Sequence, residues 1–261
     1  KTKLQAGYPI MNLNLSKKNV LVTGSSKGIG LEIARQFALE GCRVVLNGRS
    51  EIPKAVMDTV PGSLCSIGDV STEYGARKVV SESHERLMGL DVVICNVGNG
   101  SSVAPGQENL EEWKKSFNEN FFSTTCVVEA ARPYLKDSSG TIVCISSICG
   151  CEVLPGAPIT YSVAKAALNA YVKTICRPLA AEGIKICAIA PGNILFEGSV
   201  WDRKLKEDSD TVKKMLSDNV PQNTLGSPAG IASLALFLAS PISSFSTGCV
   251  WVTDGGQTRS L

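Results

Sequence analysis

Tyr161 and Lys165 stand four residues apart in the stretch Tyr161-Ser162-Val163-Ala164-Lys165. On a helix, positions i and i+4 share a face, so the phenol and the ammonium would point the same way. A free phenol titrates near ~10 and a free ammonium near ~10.4. Beside a cation the phenolate is favoured, so the spacing predicts a tyrosine whose pKa falls towards the range of a general acid/base. Lowering it by roughly two to three units takes about 3–4 kcal/mol of differential stabilisation, which one buried cation can supply. Both residue types are common on helices, and the pair alone fits a solvated face equally well.

The other chemistry-bearing residues narrow the choice. The one histidine, His84, lies in what reads as a polar helix, which argues against a Ser-His-Asp arrangement. Ten cysteines are present without a Cys-x-x-Cys; Cys149 and Cys151 form a Cys-x-Cys far from His84, a poor match to a zinc site. Cys95, Cys144, Cys187 and Cys249 fall in apolar runs that read as strands, where a free thiol is a small buried hydrophobe. A reducing, cytoplasmic setting is expected. The net charge of +2, with 44% hydrophobic and 19% charged residues, points to a globular chain with neither a nucleic-acid groove nor an anionic membrane partner. No apolar run approaches the ~18 residues of a membrane span. Residues 1–10 lack the apolar core of a signal peptide. They are read as an added or unstructured N-terminus, with Met11 as the natural start and 11–261 as one domain.

The elements that must position the pair follow from the chain in order. An apolar run, Asn19-Val20-Leu21-Val22, leads into Gly24-Ser25-Ser26-Lys27-Gly28-Ile29-Gly30. Ile29, Ile33 and Phe37 then recur at helical spacing until Gly41. Strand, glycine-rich turn and helix N-terminus together suit a diphosphate, although a tight turn without a ligand has the same appearance. A second strand runs from Arg43 to Gly48. A dinucleotide site selective for NAD places an acid about twenty residues past the glycines; that count falls near Gly48, and no acid is there. Lys27 and Arg49 could neutralise a 2′-phosphate instead, pointing to NADP(H), or could merely solvate loops.

Strands are expected at 63–67, 91–95, 141–145, 184–190 and 249–253. Helices are expected at 72–88, from about 110 to 135, from 161 to about 182, within 211–216 and at 229–239. Six or seven strands alternating with helices mean a parallel sheet covered on both faces, an α/β, doubly wound, Rossmann-like domain. Residues 193–223 form a polar segment suited to a lid. Pro178 should kink or end the tyrosine helix early, because an interior proline removes a hydrogen bond.

The chain from about Lys18 to Gln257 resembles the short-chain dehydrogenase/reductase family. Thr23-Gly24-x-x-x-Gly28-x-Gly30 is similar to its cofactor motif, Asp69-Val70 to its adenine-contacting pair, and Cys95-Asn96-Val97-Gly98 to its Asn-Asn-Ala-Gly position. Asn120, Ser147, Tyr161 and Lys165 match its catalytic tetrad, and Pro191-Gly192 the motif after the sixth strand.

The resemblance implies an NADP(H) site formed by Gly24, Ser26, Lys27, Gly28, Ile29, Gly30, Arg49, Asp69, Val70, Asn96, Gly98, Tyr161, Lys165, Pro191, Gly192 and Ile194. It also implies roles. Tyr161 donates the proton as hydride arrives, and Lys165 lowers the Tyr161 pKa and bonds the nicotinamide ribose. Ser147 polarises the carbonyl, with Ser146 as the alternative. Asn120 anchors a relay water, with a backbone-bonded interior amide as the alternative. A homotetramer or homodimer packed through the two long helices is implied as well.

Several positions depart from the family pattern. Ser147 and Tyr161 are fourteen residues apart rather than thirteen. Phe196 stands where a threonine often holds the nicotinamide carboxamide, leaving that contact to backbone or Ser199. Residues 149–158 and 196–216 should line the substrate pocket. Trp201 among Glu197, Asp202, Arg203, Lys204 and Lys206 suits a polar or sugar-derived carbonyl or alcohol, although a solvated lid is charged too. Carrier-protein-bound 3-oxoacyl chains are the second reading. The family's basic docking positions for those chains fall here on 137–139 and Glu182, none of them basic. A nucleotide-binding module without catalysis is the reading from another class, and the retained tetrad argues against it.

Overall fold

The computed structural model describes residues 12–260. The reading of residues 1–10 and Met11 lies outside the described residues. Short aliphatic and β-branched runs form seven strands: β1 (Asn19–Val22), β2 (Arg43–Gly48), β3 (Leu64–Ile67), β4 (Val92–Cys95), β5 (Thr141–Ile145), β6 (Lys185–Pro191) and β7 (Val250–Thr253). They make one sheet of order β3-β2-β1-β4-β5-β6-β7, parallel throughout.

Successive strand side chains point to opposite faces, and the core divides accordingly. Val20, Val22, Val44, Leu46, Val92, Ile94, Val143 and Ile145 pack on one face against α1 (Gly28–Leu39) and α9 (Pro228–Ala239). Leu21, Val45, Val93, Cys95, Ile142 and Cys144 pack on the other. That second face is covered by α3 (Glu73–Leu87), α5 (Ser123–Ser138) and α6 (Ile159–Ala181). Burial on both faces explains why the strands read as continuous apolar runs rather than alternating ones.

Each crossover returns the chain to the same edge of the sheet, so the carboxyl ends of all strands gather on one side. Strand order reverses between β1 and β4, the position at which open α/β sheets form a crevice. The two ends are tied together there: Thr23 Oγ1 accepts from the Asn96 N–H (3.0 Å), and Asn96 Nδ2 donates to the carbonyls of Thr23 (3.1 Å) and Gly24 (2.9 Å).

Three details differ from the sequence reading. A one-turn helix, α2 (Lys54–Met57), intervenes before β3. The helix expected from 110 to 135 is divided into α4 (Leu110–Phe117) and α5 by a π-helical turn at Asn118–Phe122. The polar segment folds as two helices, α7 (Val200–Glu207) and α8 (Ser209–Asn219), around a small cluster of Val212, Leu216 and Val220 backed by Trp201, Leu205 and Met215.

Pro178 neither ends nor shortens α6, which continues to Ala181. The proline removes the donor to the Thr174 carbonyl, and Thr174 is exposed, so water can take the bond instead. Leu179 is fully buried one residue on, which holds the last turn against the core. Replacing the proline restores the donor. Pro178→Ala should raise the denaturation free energy by about 1–2 kcal/mol, once the entropy lost from the unfolded chain is offset, read as a higher urea midpoint at unchanged slope.

Candidate active site

A cleft of about 980 Å³ opens at the carboxyl ends of the strands. Its walls include Gly24, Ser26, Lys27, Ile29, Arg49, Asp69, Val70, Asn96, Gly98, Ser147, Tyr161, Lys165, Pro191, Gly192 and Ile194. The fold thus brings residues from six strand ends and two helices, α1 and α6, to a single cavity. Three expected members do not line it: Gly28, Gly30 and Asn120.

The two glycines lie under the floor. Gly28 has φ +59°, and a side chain there would meet the Phe196 ring at 2.6 Å. A Cβ on Gly30 would come within 2.3 Å of Asn96 Nδ2 and 2.6 Å of the Gly24 carbonyl oxygen. Only glycine permits the β1 turn and the end of β4 to approach so closely. No side chain caps α1 at Lys27, so the first N–H groups of the helix keep the free donors that a diphosphate requires. With Lys27 and Arg49 beside that turn, the residues fit an anionic dinucleotide.

The tyrosine and lysine share a face of α6 as their spacing required, with Lys165 Nζ 5.9 Å from the centre of the Tyr161 ring. The expected depression of the tyrosine pKa is absent here. Burial is the larger influence and pushes the Tyr161 phenol up to about 12, while the adjacent Ser147 hydroxyl pulls the other way. Lys165 is only 3% exposed, and burial lowers its ammonium from 10.5 to about 8. Nζ donates to the Ile145 carbonyl (2.9 Å) rather than to the phenol, so its field does little for Tyr161 in this state.

The two serines after β5 separate by partner. Ser146 Oγ is bonded to Asn169 Oδ1 (2.6 Å), whereas Ser147 lies beside Tyr161 and accepts from the Cys149 N–H at 3.2 Å. Asn120 sits in the π-helical turn with its amide bonded through both its oxygen and its nitrogen. Oδ1 accepts from the Asn99 N–H (2.8 Å), and Nδ2 donates to the carbonyls of Ser116 (3.0 Å) and Asn99 (3.1 Å). These bonds hold the loop after β4 against α4. Ser199 lines the cleft, with its oxygen accepting from the N–H groups of Asp202 (3.0 Å) and Phe196 (3.3 Å) as the cap of α7.

Two further groups escaped the sequence reading. Asn47 is 1% exposed at the end of β2. It accepts from the Gly24 N–H (3.3 Å) and donates to the carbonyls of Ser66 (3.1 Å) and Gly68 (3.2 Å). Its signal was visible, an amide closing the run Val44-Val45-Leu46, because a polar group in a buried strand must find partners. Glu152, Gln257 and Arg259 also line the cleft, and nothing in local spacing linked a residue near 150 to the segment after β7.

A family model described as enoyl-(acyl carrier protein) reductase matches residues 24–258. The chain is 31% identical over 258 residues to glucose 1-dehydrogenase 2 of Bacillus subtilis (strain 168), covering 95% of this chain and 97% of that protein. This chain belongs to the short-chain dehydrogenase/reductase family. The 3-oxoacyl-(acyl-carrier-protein) reductase FabG of Chlamydia muridarum (strain MoPn / Nigg) is 33% identical over 254 residues, 95% of this chain and all of that one. The crystal structure of L-sorbose reductase from Gluconobacter frateurii, complexed with NADPH and L-sorbose, superposes with a TM-score of 0.88 at 28% identity, covering 96% and 100% of the two chains. The doubly wound parallel sheet is therefore that of a short-chain dehydrogenase/reductase.

Burial of the Lys165 ammonium has a consequence for stability. Between pH 8 and 10.5 the unfolded chain keeps a proton that the folded chain has released, so stability rises with pH across that window; below it the full penalty stands. A shift of that size corresponds to at most about 3 kcal/mol, less about 1–2 kcal/mol for the bond to Ile145. Lys165→Met should therefore be at least as stable as the wild type at pH 7, with its relative advantage shrinking from pH 8 to 10.5. Chemical denaturation of both proteins at the two pH values reads the difference.

Proposed function

We propose that the protein interconverts a carbonyl and a secondary alcohol with NADP(H), acting on a polar, sugar-derived small molecule. The observation that carries the reading is a single one: Tyr161, flanked by Ser147 and by the buried Lys165, faces the same cleft as the glycine-rich turn. The nicotinamide supplies or accepts the hydride. Lys27 and Arg49 would hold the 2′-phosphate, the uncapped start of α1 would bind the diphosphate, and Asp69 and Val70 would border the adenine. Gly98, Pro191, Gly192 and Ile194 wall the nicotinamide end.

The proton chemistry follows from the electrostatics. With its pKa raised to about 12, the Tyr161 phenol is protonated throughout the physiological range, the state needed to donate to a carbonyl oxygen gaining charge. Ser147 donates to the same oxygen and polarises it. Lys165 stands behind the tyrosine, and its ammonium stabilises the phenolate left after transfer. Reversal needs the phenolate, so alcohol oxidation should rise with pH more steeply than carbonyl reduction falls. Asn120 acts by positioning, through its bonds to Asn99 and Ser116.

The polar substrate is supported by the cleft walls, where Trp201 offers an apolar face and Asn99, Asn193, Asn219 and Gln257 offer amides. The relatives named above include a glucose dehydrogenase and, by structure, an L-sorbose reductase. Residues 193–223 act as the lid. The match to a 3-oxoacyl-carrier-protein reductase supports the second reading. Against it, the docking positions 137–139 and Glu182 carry no basic residue, and Glu182 is bonded to Arg132 twice at 2.7 Å. We place the enzyme in the cytoplasm as a homotetramer or homodimer packed through α4, α5 and α6. No helix among the described residues is long and apolar enough to cross a membrane.

Tyr161→Phe removes the proton donor and should lower kcat for reduction by about 10²–10⁴-fold, with NADPH affinity within a few-fold of wild type by fluorescence titration. Near wild-type turnover would refute the mechanism. The double variant Lys27→Ala/Arg49→Ala should lose NADPH affinity by at least tenfold while NADH affinity changes little. Tighter NADH than NADPH binding in the wild type would refute the cofactor assignment.

A further inference from the structure

The segment after β7, residues 254–260, is turned by one set of bonds within itself and pinned against the cleft by two more. Asp254 accepts from the N–H groups of Gly256 (2.9 Å) and Thr258 (2.7 Å) and from Thr258 Oγ1 (2.8 Å). Gln257 Oε1 accepts from Asn193 Nδ2 at 2.9 Å. Glu152 Oε2 then accepts from two successive backbone donors, the N–H groups of Arg259 (2.7 Å) and Ser260 (2.8 Å). Glu152 lies five residues after Ser147 and nine before Tyr161. The loop carrying the catalytic serine and the segment after β7 are thus joined more than one hundred residues apart in sequence.

The join places a cation. Arg259 lines the cleft, as does Lys204 of α7. Lys204 Nζ lies over the Trp201 ring, 4.8 Å from its centre. Neither cation has a carboxylate within ion-pair distance among the described residues, whereas Lys206 on the same helix is matched by Asp202 at 2.8 Å. The nearby acid, Glu152, is occupied by two backbone N–H groups, which with a smaller contribution from the Arg259 charge hold its carboxyl below the usual range. Two cations on separate elements, neither in an ion pair among the described residues and one lying over an aromatic ring, therefore line the cavity that holds Tyr161.

Resting on the reading of this cleft as the site for a sugar-derived carbonyl compound, we propose that its substrate bears an anionic group, a carboxylate or a phosphate, bound by Arg259 and Lys204, with Glu152 as the positioning residue that delivers Arg259. A guanidinium offers paired donors that match either anion, and an ammonium adds a point charge. The Trp201 face takes the C–H side of a polyol. A wholly neutral polyol would bring no charge to match either cation.

The test uses L-sorbose and two anions that differ from it at C1, 2-keto-L-gulonate and L-sorbose 1-phosphate, with NADPH oxidation followed for each. The wild type should show at least a tenfold higher kcat/KM for one or both anions than for L-sorbose, and which anion is preferred separates carboxylate from phosphate. In Arg259→Ala and Lys204→Ala that ratio should fall at least tenfold through KM, with kcat held within about threefold. Arg259→Lys should restore part of it. Glu152→Ala should behave like Arg259→Ala, and Glu152→Gln, which keeps an acceptor for the two N–H groups, should largely retain the ratio.

A ratio near one in the wild type, or one unchanged by Arg259→Ala, overturns the proposal while leaving the functional reading intact. If none of the three compounds is reduced, the functional reading falls instead. Calorimetry on the NADP⁺-loaded protein then decides the inference: binding of either anion that depends on Arg259 upholds it, and equal or absent binding of all three overturns it.

Discussion

An ammonium kept out of water is the constraint on which the rest of the site depends. Lys165 is almost wholly buried, and an unpaired charge in such a place is expensive unless something satisfies it. The Ile145 carbonyl at the end of β5 does so, which requires α6 to lie against that strand end. Gly150 makes the approach possible, because a Cβ there would meet the Lys165 backbone carbonyl carbon at 2.5 Å. Burial also places the lysine where its charge is worth most, since Coulomb terms grow as water is excluded. Stability and catalysis draw opposite consequences from one desolvated group.

The sheet turns this local arrangement into a cleft. A parallel sheet aligns its carboxyl ends, and the reversal of strand order beside β1 leaves a gap above the carboxyl ends of the paired strands β1 and β4. Asn96 bridges that gap and Asn47 braces β2, β3 and the glycine-rich turn, so the floor is set by side-chain amides rather than by ladder bonds alone. Asn120 does the same on the far side, from a π-helical turn of the kind often found at functional sites. Three asparagines therefore act as cross-braces, each bonding backbone from a different strand end or loop.

Over that floor the walls are less regular. The α7–α8 pair carries its own small apolar cluster, distinct from the two large cores, so it can be held as a unit over the cleft. Phe196 rests on Gly28 where the family often has a threonine, replacing a polar contact with an aromatic one. Glu152 binds the segment after β7, which makes part of the substrate wall depend on residues near the end of the fold.

Much of this was legible in the chain itself. The alternation of apolar runs with helical periodicity required a doubly wound parallel sheet, and motifs at strand ends placed most of the cleft, because local spacing controls which groups share a face or a turn. Tyr161 and Lys165 shared a face as four-residue spacing demands. What the tertiary structure alone decided concerns solvation and long-range partners. Burial reversed the expected direction of the Tyr161 pKa, since desolvation outweighs a cation whose protons point elsewhere. Long-range packing bonded Ser146 to Asn169 and set Ser147 beside Tyr161, engaged Asn120 with backbone, and carried Pro178 inside a helix whose exposed carbonyl water can serve. The tyrosine and lysine were named by their spacing. How each holds its proton was decided by the water the fold removes from around them.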